Sequence, residues 1–182
     1  MRDDAVPEAT TDVTPHGRVV TSDGWFVLNL ADCRAWTNSQ AGTVVSPEPR
    51  DSAWSGTGVN VHVLQPGQPS CRYHQEAAQE DFLVLAGECV LIVEEQERRL
   101  REWDYVHCPA GTRHVFVGAG AGPCAILMIG DRVDPEDIHY PVSEAAGRFG
   151  AASVSVATDD PRDAYAEWPG PWDPCPAPWP PG

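Results

Sequence analysis

The sequence predicts an all-β fold, an antiparallel sandwich or barrel, on three observations. Residues 59–130 fall into short apolar runs of strand length, Val59–Leu64, Phe82–Ala86, Cys89–Val93, Tyr105–Cys108, His114–Val117 and Cys124–Ile129. Turn residues separate them at close intervals: Pro66-Gly67, Gly87, Glu94–Glu97, Pro109-Ala110-Gly111 and Gly118–Pro123. No segment repeats its apolar residues at the 3.6-residue period of a helix over three turns.

The remaining elements follow in chain order. Residues 1–17 are polar and acidic, are punctuated by Pro7, Pro15 and Gly17, and read as a loose, flexible arm. Residues 18–130 are expected to form the β domain. Val19-Val20 and Trp25-Phe26-Val27-Leu28 are strand candidates ahead of the central runs, and Ser46–Gly58 reads as a loop. Phe82-Leu83-Val84-Leu85 and Val90-Leu91-Ile92-Val93 are apolar on both faces, so each needs cover on both sides, from a second sheet, a flanking segment or a second subunit. Residues 131–168 form a C-terminal flank. Within it Val142–Phe149 fits a short helix, with Ser143 as N-cap and Gly150 just past its end, and Ala164–Trp168 fits another turn. Residues 169–182 form a Pro- and Trp-rich tail, whose seven prolines exclude a helix or a central strand and leave it extended or disordered. The aromatics Trp168, Trp172 and Trp179 would pack on the domain's own surface or reach a second subunit.

Length and composition bound the function. The 182 residues suit one domain with short appendages. All 12 basic residues are arginine, and against 27 acidic residues they leave a formal charge of −15. Nucleic-acid binding and docking on an anionic membrane are therefore not expected, since both need clustered cations. No apolar stretch is long enough to span a bilayer. Met1-Arg2-Asp3-Asp4 leads into proline, threonine and aspartate rather than an apolar run, so a secretory signal is not expected and the cytoplasm is the expected location. The six cysteines contain no C-x-x-C pair and are expected as reduced thiols, with Cys89, Cys108 and Cys124 in the core.

Two stretches carry chemistry. In GQPSCRYHQEAAQEDFLVLAG, residues 67–87, His74 and Glu76 are two apart and share a face of an extended strand. Glu80 opens the next run in phase with Phe82 and Val84, which turns Asp81 outward. In WDYVHCPAGTRHVFV, residues 103–117, Pro109 and Gly111 make a tight turn and His114 opens a strand. Should that strand lie beside the first pair, two imidazoles and two carboxylates meet, a donor set suited to Mn, Fe, Ni or Zn. With a divalent ion the two carboxylates sum to zero charge; without one they repel, and at least one carboxyl pKa rises. Cys71, at an odd offset from His74, is expected on the opposite face. Tyr105 and Phe116 have the phase of cavity-wall residues, and His107 either lines the pocket or, the favoured reading, is an ordinary satisfied histidine. His16, His62 and His139 show no partner pattern.

The first stretch resembles the first signature of the cupin superfamily, Gly-x5-His-x-His-x(3,4)-Glu-x6-Gly. Gly67, His74, Glu80 and Gly87 fall in place, with six residues after Gly67 and Glu76 where the second histidine usually stands. The second stretch is similar to Gly-x5-Pro-x-Gly-x2-His-x3-Asn through Pro109, Gly111 and His114, with Trp103 and Gly118 replacing the end residues. The resemblance covers residues 59–130. It implies a double-stranded β-helix (jelly-roll) barrel, commonly a homodimer, with one divalent metal ion held by His74, Glu76, Glu80 and His114. Glu76 is either a fourth ligand or a general base. Two functions fit this resemblance. One is a metal-dependent enzyme of oxygenase, isomerase or decarboxylase type acting on a small polar metabolite. The other is a non-catalytic cupin that binds or senses a metal or small ligand.

Overall fold

The central strands form where β-branched and apolar residues lie between turn signals. A computed structural model describes residues 5–48, 56–132, 137–168 and 170–178. Its strands are β1 (Thr11–Thr14), β2 (Gly17–Val20), β3 (Arg34–Asn38), β4 (Gly42–Ser46), β5 (Thr57–Leu64), β6 (Gln75–Glu76) and β7 (Glu80–Ala86). They continue with β8 (Glu88–Val93), β9 (Gln96–Arg101), β10 (Tyr105–Cys108), β11 (His114–Ala119), β12 (Cys124–Asp131), β13 (Ile138–His139) and β14 (Asp173–Pro176). Two one-turn helices, α1 (Glu144–Gly147) and α2 (Pro161–Ala164), lie between β13 and β14. No helix among the described residues is long and apolar enough to cross a membrane.

Two antiparallel sheets dominate. The larger has the order β10-β7-β12-β5-β4-β3-β14 and the smaller β11-β8-β9, an arrangement that fits a double-stranded β-helix. Among the described residues no strand ladder joins the two into a closed barrel. Between them lies one core: Leu64 of β5, Phe82 and Val84 of β7, Cys108 of β10, and Cys124 and Ile126 of β12 meet Cys89 and Leu91 of β8 and Phe116 of β11. These are alternate residues of each strand, as the pleat requires. Burial of each large side chain here stabilises the fold by about 1.5–3 kcal/mol.

The strands that are apolar on both faces find cover on both. The outward residues Val90 and Ile92 of β8 and Val115 and Val117 of β11 pack under Tyr73 and the C-terminal flank, through Ala145, Ala146 and Ala152. On the larger sheet the outward residues Val45, Val61, Val63 and Ala125 pack with Ala35, Cys33, Leu28 and Leu30.

Several elements depart from the sequence-based expectation. Within the stretch expected as a loose arm, Thr11–Thr14 pairs with β2 as a hairpin, because Thr and Val suit an extended edge even where burial is slight. Trp25–Leu28 is not a strand; Trp25 makes a single bridge to Glu8, and the chain turns into a 3-10 turn at Leu30–Asp32, capped by the Asn29 side chain. β3, β4 and the polar β9 were not expected, their apolar content being too low to mark them. In the flank, Ser143 Oγ accepts from Ala146 N at the start of α1, as the N-cap pattern predicts. The helical turn near Ala164 begins earlier, at Asp160-Pro161. The Pro-rich tail is extended: β14 pairs at the sheet edge with β3, where proline's missing N–H is tolerated. Ahead of it, Trp168 docks on the domain, its Nε1 donating to Asn38 Oδ1 at 3.0 Å. Residues 49–55 of the expected loop, Pro169 and residues 179–182 of the tail, including Trp179, lie outside the described residues.

Candidate metal centre

The two chemistry-bearing stretches meet through their backbones. His74 N donates to His114 O at 3.2 Å and His114 N to His74 O at 2.9 Å. The turn before His114 adds a third link, Gly111 N donating to Glu76 O at 2.7 Å. Gly111 has φ +81, a conformation that favours glycine. Thr112 closes the turn, its N and Oγ1 both donating to Pro109 O.

The two imidazoles are held in the same way. His74 Nδ1 lies 2.9 Å from Arg72 O, and His114 Nδ1 lies 3.0 Å from Thr112 O, each the carbonyl two residues back. A carbonyl only accepts, so each Nδ1 carries a hydrogen; the Nε2 of neutral His114 presents a lone pair, and that of His74 does so once an ion displaces its proton. His74 Nε2 lies 3.4 Å from Glu76 Oε1, and His114 Nε2 lies 3.3 Å from Glu80 Oε2. Ligand atoms about 2.1 Å from one ion stand roughly 3.0–3.4 Å apart, so these separations suit donors sharing a cation. One ligand atom each from His74, Glu80 and His114 lie within 4.8 Å of one another. Glu76 touches His74 at the edge of this trio, with a third of its side chain exposed. The pinned tautomers and the mixed N/O donors fit a divalent transition-metal ion.

The charges agree. Burial pushes the Glu80 carboxyl up to about 7, against the pull of His74. The hydrogen bond from His74 holds Glu76 below the usual carboxylate range. Burial opposes charge on His74, but Cys71, Glu76 and Glu80 together outweigh it and hold His74 well above the ordinary histidine value. Burial, with His74 beside it, lowers His114 to about 4. Metal-free, the cluster therefore stores protons on His74 and Glu80 that a cation would displace.

The surroundings are aromatic. Phe82 lies 5.2 Å from the His114 ring and 4.7 Å from Phe116, and Tyr140 lies 5.9 Å from the His74 ring, measured between centroids. Tyr140 comes from the flank, and no pattern in the sequence ties it to His74. Phe116 lines the interior as expected. Tyr105 does not: it is exposed on the outer face, where it and His107 both bond Asp81 Oδ1, which leaves Asp81 facing out and His107 satisfied. Cys71 is closer than its strand phase predicts, with Sγ 3.6 Å from His74 Nδ1, because residues 71–73 do not form a regular strand. It lies on the Nδ1 side of the ring, away from Nε2. Cys89, Cys108 and Cys124 are buried in the core.

Residues 60–130 match the family profile described as "Cupin domain". The chain carries a cupin domain. Among solved structures it is similar to the polyketide cyclase RemF from Streptomyces resistomycificus, at 15% identity over 59% of this chain and 79% of that one, with a TM-score of 0.51. It is also similar to a sugar phosphate isomerase of the cupin superfamily from Silicibacter pomeroyi DSS-3, at 24% identity over 59% of this chain and 76% of that one, with a TM-score of 0.50. These likenesses concern the fold. A candidate sugar phosphate isomerase from Acidithiobacillus ferrooxidans ATCC 23270 is 27% identical over 43% of this chain, with a TM-score of 0.42, and the chain spans about half, 52%, of its length. No curated protein matches the sequence. Within the cupin domain the first signature supplies His74 and Glu80 and the second supplies His114.

Proposed function

We propose that His74, Glu80 and His114 hold one divalent ion of the Zn, Mn, Fe or Ni class, and that this cupin is a metal-dependent enzyme acting on a small polar metabolite. The observation that carries the reading is the pair of Nδ1-anchored imidazoles whose Nε2 atoms face carboxylates. An ion there supplies Lewis acidity toward a substrate oxygen. Glu76 stands beside His74 but outside the trio, partly open to solvent and held ionised. It is the proton acceptor in this reading, and the fourth ligand in the variant of it. A carboxylate base beside a Lewis acid favours the isomerase type over oxygenation or decarboxylation. Phe82 and Phe116 exclude water from the inner side.

The cytoplasm suits the six free cysteines. A homodimer belongs to the same reading, supported by the exposed Trp103 and Tyr105, and sedimentation equilibrium tests it.

The deciding experiment measures bound metal and turnover together, with a panel of hydroxy and keto compounds. Glu76→Gln is expected to lower turnover far more than metal content. Equal losses would make Glu76 a ligand. One bound ion with no turnover on any compound would favour a metal- or ligand-binding module.

A further inference from the structure

The inner face of the larger sheet carries polar groups that the metal centre does not use. Across this face Glu80, Gly130 and Gly58 stand side by side on β7, β12 and β5. Paired residues of a sheet share a face, so the two glycines leave the strip beside Glu80 without side chains of its own. A Cβ at Gly130 would lie 3.6 Å from Glu80 Cγ, and one at Gly58 would lie 3.2 Å from Arg132 Nη2. The Arg132 guanidinium is therefore on the same face as the Glu80 carboxylate, across this strip. Glu48 grips Arg132 through Nη2 alone, at 2.5 and 2.6 Å, and also accepts from Val59 N. A guanidinium has five N–H donors, so others remain for a ligand.

Below Gly58 on the same face of β5 come Asn60 and His62. Asn60 Oδ1 and His62 Nδ1 are both out of reach of solvent and have no hydrogen-bond partner among the described residues. Buried polar atoms are nearly always paired, and these two, at alternate residues of one strand, share its inner face. Three groups thus share this face: a cation reaching over Gly58 from the end of β12, and an amide and an imidazole below it on β5. A chain of net charge −15 repels anions in general, so a placed guanidinium is what makes room for one.

We propose that Arg132, Asn60 and His62 form a binding subsite beside the metal centre for a small hydroxylated anion, its carboxylate or phosphate on Arg132 and its hydroxyls on Asn60 and His62. This rests on the metal-binding reading above, since Glu80 stands in the same row as Gly58 and the ligand's anionic end, held by Arg132, is the end nearest the ion.

The test is calorimetric titration of zinc-reconstituted protein with glycerate, glycerol 3-phosphate and uncharged glycerol. One or both anions bind at least about tenfold more tightly than glycerol, and which one does so separates carboxylate from phosphate. Arg132→Met weakens that binding about tenfold with zinc content unchanged. Asn60→Val also weakens it while raising the melting temperature, because an unpaired buried amide gives way to a strand-forming apolar residue. Equal affinities for all three probes, or variants that bind as the parent does, overturn the subsite. So does an Asn60→Val protein that melts lower, which marks a structural amide. Should the protein take up no zinc, the metal reading fails by itself, and titration of the metal-free protein still decides: an Arg132-dependent affinity retains the subsite, and no binding removes it.

Discussion

His74 and His114 face each other as a two-way backbone pair, each donating its N–H to the other's carbonyl, with ring centroids 5.0 Å apart. The link between the two stretches is thus independent of the imidazoles. It holds whether or not an ion is bound, which makes the donor set preorganised rather than metal-assembled.

Removing either ring is accordingly expected to abolish metal uptake without unfolding the chain. His74→Ala and His114→Ala should each reduce bound zinc from one ion per chain to roughly a tenth or less at equimolar loading. The metal-free variants should stay within about 2 kcal/mol of the parent, since the backbone bonds survive. Plasma emission for metal and denaturant unfolding for stability check the two halves separately.

Protons and metal compete for the same groups, so metal affinity is expected to depend on pH. Metal-free, Glu80 takes a proton near pH 7 and His74 holds one above the ordinary histidine range. Binding must release both. Affinity should fall at least about tenfold per pH unit below 7 and flatten as alkaline pH empties both sites. Proton release on zinc addition, read with a pH indicator, gives the count.

The same Glu80 shift predicts a stability effect of fixed sign in the metal-free protein. Burial raises the folded carboxyl to about 7 from its ordinary value of 4.5. The folded state therefore binds the proton more tightly, and stability falls as pH rises from about 4.5 through 7. Relative to Glu80→Gln, the parent should lose up to about 3 kcal/mol across that window, reached fully only above pH 7. Denaturant midpoints measured in chelator at a series of pH values check this. A parallel pair of curves would show that Glu80 titrates normally.

The centre of the fold was legible because its strands are short, apolar and bounded by glycine and proline. The positions of His74, Glu80 and His114 were legible because motif spacing survives even where Glu76 and Trp103 replace the usual residues. The edges were not. β9 reads QERRLR and is held by its hairpin to β8, a tertiary cause that local composition does not reveal. Tyr105 has the alternation of a wall residue, but β10 is the edge of the larger sheet, and pairing with β7 places Tyr105 opposite Leu83 on the outer face. His62 shows no partner pattern in sequence, its Nδ1 has no hydrogen-bond partner among the described residues, and its significance appears only beside Asn60.

Arg72 ties the flank to the site. It is buried, donates Nε to Ala164 O at 3.0 Å and Nη1 to Ala151 O and Ser153 O at 2.8 Å each, and lies 4.8 Å from the Trp168 ring. Its own carbonyl anchors His74 Nδ1. Arg72→Ala leaves three carbonyls without their donor and is expected to cost about 3 kcal/mol or more. Limited proteolysis should then cut the flank between residues 150 and 168 first. Metal affinity should fall less than in His74→Ala, because the carbonyl itself remains.

Two inner-core glycines are expected to behave oppositely. A Cβ on Gly118 would strike the Gln65 carbonyl, whose backbone passes directly beneath β11. Backbone cannot rotate aside, so Gly118→Ala should destabilise the fold by about 3 kcal/mol or more. At Gly130 a Cβ meets Glu80 Cγ at 3.6 Å and Glu80 Oε1 at 3.9 Å, which is ordinary contact. Gly130→Ala should therefore fold as the parent does, within about 0.5 kcal/mol. It should nonetheless fill the strip between Glu80 and Arg132. Thermal melts of both variants separate the two cases. An anion titration of zinc-loaded Gly130→Ala then reads whether that strip is the route between the metal centre and the polar face of β5: affinity falls with zinc content intact if it is, and stays at the parent value if the ligand reaches the metal from another side.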